Sequence, residues 1–376
     1  MARVKISEQD YTFKALDEAW NRAAVVDNFE LMADRYVILS DLHKGDKKKG
    51  SDDFLPNELI FCHALQWYFE RDYHLVLNGD IEEGWEARYA DIIKAYHDTA
   101  LAAERQFAQK PGYHFRTYGN HDLEWADETL VQKYLWPVVG EIKVHPAIRL
   151  GENIFIVHGH QGDPQSDQKS KASRFWVKYV WRPLQEWGLT AILWEPLQRL
   201  GLVNSPRAAQ NNFIRFRRDN YLYQWAQQKG VVLVAGHTHR GIFRSYSKID
   251  QLKEILKELK EKLKEDANRS NQYQILASVR YIEKAIKDSR DALRREKMQE
   301  KGTLMPAYFN CGCCVYTNGI TAIEVDRGTV RLVKWELDDS YCEGGQERRP
   351  ESFVTIDRKI YETGNLETII KEVKGG

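Results

Sequence analysis

The sequence predicts an α/β fold, on three observations. Short β-branched runs alternate with helical stretches, each run stops in a cluster of polar residues able to ligate a metal, and an apolar fraction of 43% over 376 residues supports a sizeable core. Taken in order, residues 1–34 read as an N-terminal helical extension, with good helix formers from Asp17 to Asn28. The runs Tyr36–Leu39, His74–Leu77, His114–Tyr118, Ile154–Val157 and Val231–Ala235 read as strands. They end in Ser40-Asp41-Leu42-His43, Asn78-Gly79-Asp80, Gly119-Asn120-His121-Asp122, His158-Gly159-His160 and Gly236-His237-Thr238-His239. Ligands of open α/β sheets bind beyond the carboxyl ends of the strands, so five such clusters can converge on one site.

Two insertions interrupt the pattern. Residues 165–228 are rich in Trp and Arg and read as a helical cap, and residues 247–302 read as a helical hairpin with apolar residues at helical spacing. Strands return at Tyr308–Val315, Ile320–Val325 and Thr329–Trp335, the last two joined through Asp326-Arg327-Gly328. The main domain is therefore expected over 35–337, with 338–376 as a C-terminal tail.

Acidic and basic residues balance at 55 each, which argues against a global attraction to nucleic acid, and no sequence-specific nucleic-acid binding is expected. The polar Met1–Tyr11 segment, the lack of a long uncharged apolar run and an odd set of five cysteines suggest a cytoplasmic protein with reduced thiols. Cys311, Cys313 and Cys314 lack a second ligand cluster at zinc spacing and read as small core residues.

Asp41 and His43, two apart after a strand, can grip one cation together. Asp80 can lie between two cations, Asn120 offers an amide oxygen, and His158, His237 and His239 add imidazoles. This mixed donor set suits manganese, with iron and zinc as alternatives, rather than calcium. Two such ions about 3.5 to 4 Å apart would acidify a water between them for attack on phosphorus.

The motif series resembles the calcineurin-like metallophosphoesterases over roughly residues 35–337. The resemblance implies two mixed β-sheets packed face to face with helices outside, and a binuclear centre at one edge. It also implies that Asp41, His43 and His239 hold one metal, that Asn120, His158 and His237 hold the other, and that Asp80 bridges them. His121 would assist the leaving oxygen, with Asp122 orienting its imidazole. Either His158 or His160 could be the ligand, with His158 preferred because it directly ends its strand.

Within the family, the Ser40–His43 segment, the His158–Asp163 segment followed by the Trp/Arg-rich insertion, and the Gly236–Arg240 segment look most like UDP-2,3-diacylglucosamine pyrophosphatases. That likeness implies an amphiphilic substrate and peripheral membrane contact through the Trp/Arg-rich insertion. His160, Arg215 and Arg218 are candidate substrate contacts beside Asn120, because guanidinium forks match phosphate oxygens. The hairpin is a candidate self-association element. The alternatives are a phosphatase or phosphodiesterase acting on soluble nucleotides, nucleic-acid ends or phosphoproteins, and a catalytically silent scaffold that binds a protein partner.

Overall fold

The computed structural model describes residues 7–48, 52–163, 212–243, 307–316, 319–337 and 355–375, together with scattered positions between 256 and 287. The expected two mixed sheets flanked by helices are present. One has seven strands in the order β13-β12-β11-β2-β3-β4-β5 and the other six in the order β1-β6-β7-β8-β10-β9. These strands are β1 (Ala24–Val26), β2 (Arg35–Leu39), β3 (His74–Asn78), β4 (His114–Thr117), β5 (Val144–His145), β6 (Ile148–Leu150) and β7 (Ile154–Ile156). They continue as β8 (Val232–Ala235), β9 (Gly241–Ile242), β10 (Tyr308–Cys311), β11 (Ile320–Asp326), β12 (Thr329–Leu337) and β13 (Ile356–Asn365). The helices are α1 (Glu8–Asn21), α2 (Glu58–Glu70), α3 (Tyr89–Tyr96), α4 (Ala100–Ala108), α5 (Glu128–Tyr134), α6 (Asn212–Lys229) and α7 (Leu366–Gly375).

Strands β2 to β5 run parallel in chain order, so their carboxyl ends share one edge. The period-two alternation of β2 sends Tyr36 and Ile38 into one core cluster and Val37 and Leu39 into the other. The first cluster joins the two sheets and takes in residues of α1, α6 and α7, and the second packs under α2, α3 and α4. Both faces of β2 and β3 are thus covered, which is why their sequences read as apolar runs. The expected β11–β12 hairpin closes through Arg327 and Gly328, both at positive φ (49° and 79°), as a type I′ turn requires.

Three boundaries differ from the expectation. α1 ends at Asn21, and Val25 and Val26 enter β1, which pairs with β6, because β-branched residues favour an extended chain over a helix. α1 is also seated in the core through Leu16 and Ala19. The segment 338–376 is more than a tail: β13 pairs antiparallel with β12, and Leu366, Ile369 and Val373 of α7 enter the core. In the first insertion, α6 belongs to the sandwich, with Leu222, Trp225 and Ala226 in its core, while residues 164–211 lie outside the described residues. Described positions of the 247–302 segment are helical, with Val279, Ile282 and Ile286 buried and Lys260 paired to Glu283 at 2.9 Å. Among the described residues no helix is long and apolar enough to cross a membrane.

Candidate metal centre

The polar clusters that follow β2, β3, β4, β7 and β8 meet at one edge of the sandwich. Asp41, His43 and His239 bring ligand atoms within 4.8 Å of one another, and so do Asp80, His158 and His237. His239 Nε2 lies 3.2 Å from Asp41 Oδ1, and His158 Nε2 lies 3.1 Å from Asp80 Oδ2. His43 Nε2 stands 3.9 Å from both Asp41 Oδ1 and Asp80 Oδ2, so the two groups adjoin.

The backbone is bent to achieve this. Asp41, His43, Asp80, His237 and His239 all have left-handed φ, between 50° and 66°. Such a conformation costs roughly 1–2 kcal/mol for an L-residue and persists only where its surroundings impose it. Several contacts do so. Asp41 N–H donates to Gly79 O, His43 N–H to Asp80 O, and Asp41 Oδ2 accepts from His237 N–H. At Gly119 a Cβ would lie 2.1 Å from Asp80 Oδ1, which explains the glycine of the Gly-Asn-His-Asp run.

The electrostatics are those of buried carboxylates facing imidazoles. Burial alone would raise Asp41 and Asp80, but His239 and His158 hold the first, and His158 and His121 the second, well below the usual carboxylate range. Burial also opposes charge on His158, yet Asp80 and Asp41 raise it to about 9. Its Nδ1–H donates to Asn78 O, which aims Nε2 at Asp80. His160 is held well below the imidazole range by burial and by His158, and it stands outside both ligand groups.

Two expected roles are corrected. Asp122 does not orient His121: its carboxylate accepts from the backbone N–H groups of Gly119, Asp80 and Ile81, so it shapes the loops instead. Burial, with Asp80 and Glu82 adding to it, pushes Asp122 up to about 7. The carboxylate facing His121 is Glu83, with Oε1 2.8 Å from His121 Nδ1 and Oε2 2.7 Å from His43 Nδ1. Burial resists that charge, but His121 and His43 hold Glu83 at about 2. One carboxylate thereby fixes both rings, and His43 is left with Nε2 toward Asp41 and Asp80.

Arg218 is likewise not free for substrate. It is buried in a web with the carbonyls of Gly159 and Gln161 and with Thr12. Arg215 lies in α6, and its side chain is outside the described residues. Trp85 stacks on His121 with centroids 4.3 Å apart and donates from Nε1 to Asn120 O. Cys311, Cys313 and Cys314 are buried as expected, and burial pushes the Cys313 thiol up to about 12.

Asp41 Oδ1, His43 Nε2, Asn120 Oδ1 and His158 Nε2 are all buried and form no hydrogen bond. Buried polar atoms are ordinarily satisfied, so a carboxylate, an amide oxygen and two imidazoles left this way at one sheet edge fit a divalent cation. Fold and site together define a metal-dependent phosphoester hydrolase. The chain belongs to the calcineurin-like phosphoesterase family, whose sequence profile matches residues 35–241. No curated protein matches the chain.

Proposed function

We propose that this enzyme cleaves a phosphodiester or pyrophosphate bond with two divalent cations, manganese foremost. Asp41, His43 and His239 would hold one ion, Asn120, His158 and His237 the other, and Asp80 would reach both. The observation that carries the reading is the set of buried, unbonded ligand atoms Asp41 Oδ1, His43 Nε2, Asn120 Oδ1 and His158 Nε2. When bound, such cations acidify water and neutralise charge on phosphate oxygens.

The chain's own groups supply the rest. With Nδ1 tied to Glu83, His121 presents Nε2 to the leaving oxygen and can deliver a proton there. Trp85 covers one face of that imidazole and restricts its rotation. Asn120 fixes a phosphate oxygen through its amide as the geometry at phosphorus changes. Motif resemblance supports an amphiphilic, UDP-diacylglucosamine-like pyrophosphate as substrate.

Asp80→Ala tests the centre. The variant is expected to lose bound metal, measured by elemental analysis, together with turnover of a chromogenic diester. Full metal content and activity would remove Asp80 from its role. Comparing mononucleotides, a phosphodiester and a lipid-linked UDP-sugar tests the substrate, and turnover of the last alone is expected.

A further inference from the structure

We propose that Thr12 and Arg218 clamp the loop His158–Asp163, so that a helix preceding the family domain tunes the cation affinity of the group formed by Asp80, His158 and His237. The cation half of this proposal rests on the reading of that group given above. The family match begins at residue 35, whereas α1 spans Glu8–Asn21, so Thr12 stands outside the matched residues and its partner Arg218 within them.

The contacts converge on one loop from two helices. From α6, Arg218 donates through Nε to Gly159 O at 2.9 Å, and through Nη2 to Gln161 O. Its Nη1 donates to Thr12 Oγ1 at 2.9 Å, and that hydroxyl in turn donates to Gly162 O at 3.2 Å. Thr12 is fully buried and Arg218 is 6% exposed, so water cannot replace either partner cheaply. Gly162 stands at φ 73°, and a Cβ there would lie 2.4 Å from Thr12 Cα, so the loop touches the α1 backbone directly.

α1 is itself anchored firmly enough to act as a jaw. Gln9 bonds Gln224 at 2.8 Å, Arg217 pairs with Glu8 at 3.0 Å, and Trp20 meets Phe155 edge to face at 5.2 Å. The clamped loop reaches ligands at both of its ends. His158 Nε2 lies 3.1 Å from Asp80 Oδ2, and Asp163 Oδ2 lies 3.3 Å from His237 Nε2. No comparable contact joins α1 to Asp41, His43 or His239 among the described residues. Loosening the clamp should therefore act on one cation group and spare the other.

Thr12→Val keeps the side-chain volume and removes both hydroxyl bonds, and Thr12→Ser restores them. Amide hydrogen exchange across residues 159–163 of the metal-free full-length protein is expected to accelerate at least about tenfold in the Val variant and to recover in the Ser variant. In a Mn2+ titration, one of two binding steps should weaken by about 10- to 100-fold, as loss of an outer support for a ligand does. That step should be the one missing in His158→Ala.

Unchanged exchange together with an unchanged titration would overturn the proposal. Equal weakening of both steps would overturn it too, since that reports general loosening of the fold. If the wild-type protein binds no Mn2+ at all, the functional reading and the cation half of this proposal fail together, and the exchange data alone then decide for or against the clamp.

Discussion

Two buried charge clusters share the same two loops, and they are balanced in opposite ways. Lys44 follows His43 directly, and Glu82 follows Asp80 by two residues, yet Lys44 and Glu82 turn away from the ligand groups toward Arg116 and Glu104. There, two carboxylates meet two permanent cations, all four side chains fully buried, with Trp125 Nε1 donating to Glu82 as well. In the neighbouring centre the carboxylates of Asp41, Asp80 and Glu83 have imidazoles as their ion-pair partners. The first cluster closes its charge within the chain and works as a lock on the loops. The second leaves its charge to be completed by something that can enter and leave.

The largest test of that contrast is Glu82→Gln. It strands Lys44 and Arg116 with one carboxylate between them, and it is expected to destabilise the fold by about 3–5 kcal/mol in chemical denaturation, whether or not metal is present. A loss seen only with metal would merge the two clusters into one.

Next is the acid behaviour of the lock. Burial resists charge on Glu104, but Arg116, His114 and Lys44 hold its folded pKa at about 2, against an ordinary value of 4.5. A carboxyl depressed on folding adds stability above its unfolded pKa and loses that contribution as pH falls through the folded one. The wild type should therefore lose stability between about pH 5 and 2, by at most on the order of 3 kcal/mol from this group, and Glu104→Gln should flatten that slope.

The centre should answer in rate rather than stability. His121→Ala is expected to slow turnover by about 100-fold or more while keeping the metals, most visibly on a poor leaving group. Glu83→Gln should cost about 10- to 100-fold in metal affinity or turnover, because it loosens His43 and His121 together. Trp85→Ala should cost only about three- to tenfold in turnover, the worth of one aromatic contact on His121. Unchanged kinetics in the Glu83 variant would sever the link drawn between the two histidines.

The ligand series was legible in the sequence because each cluster sits where an apolar run stops, and parallel strands put such ends at one edge. Glu83 was not, since the second of two adjacent glutamates reads as surface charge until the loop after β3 folds it between His43 and His121. Asp122 misled by adjacency. Neighbours in a turn point different ways, and its carboxylate goes to backbone amides. Arg218 read as a candidate phosphate contact beside Arg215, and only the packing of α1 against α6 shows it buried and bound to backbone carbonyls.

β13 was hidden by its polarity, because an edge strand exposed from Lys359 to Thr363 carries no alternating pattern. α7, by contrast, had a signal that could have found it: Leu366, Ile369, Ile370 and Val373 recur at helical spacing.

The left-handed backbone at Asp41, His43, Asp80, His237 and His239 restricts what evolution or an experimenter can place there. Among side chains with a Cβ, the residues that most readily adopt that conformation are Asn, Asp and His, and each of these can also offer an oxygen or an imidazole to a cation. Shape and chemistry at these five positions therefore draw on one alphabet. A valine or isoleucine substituted there would distort the loop as well as remove a donor, so an Asp-to-Asn exchange separates loss of charge from loss of form.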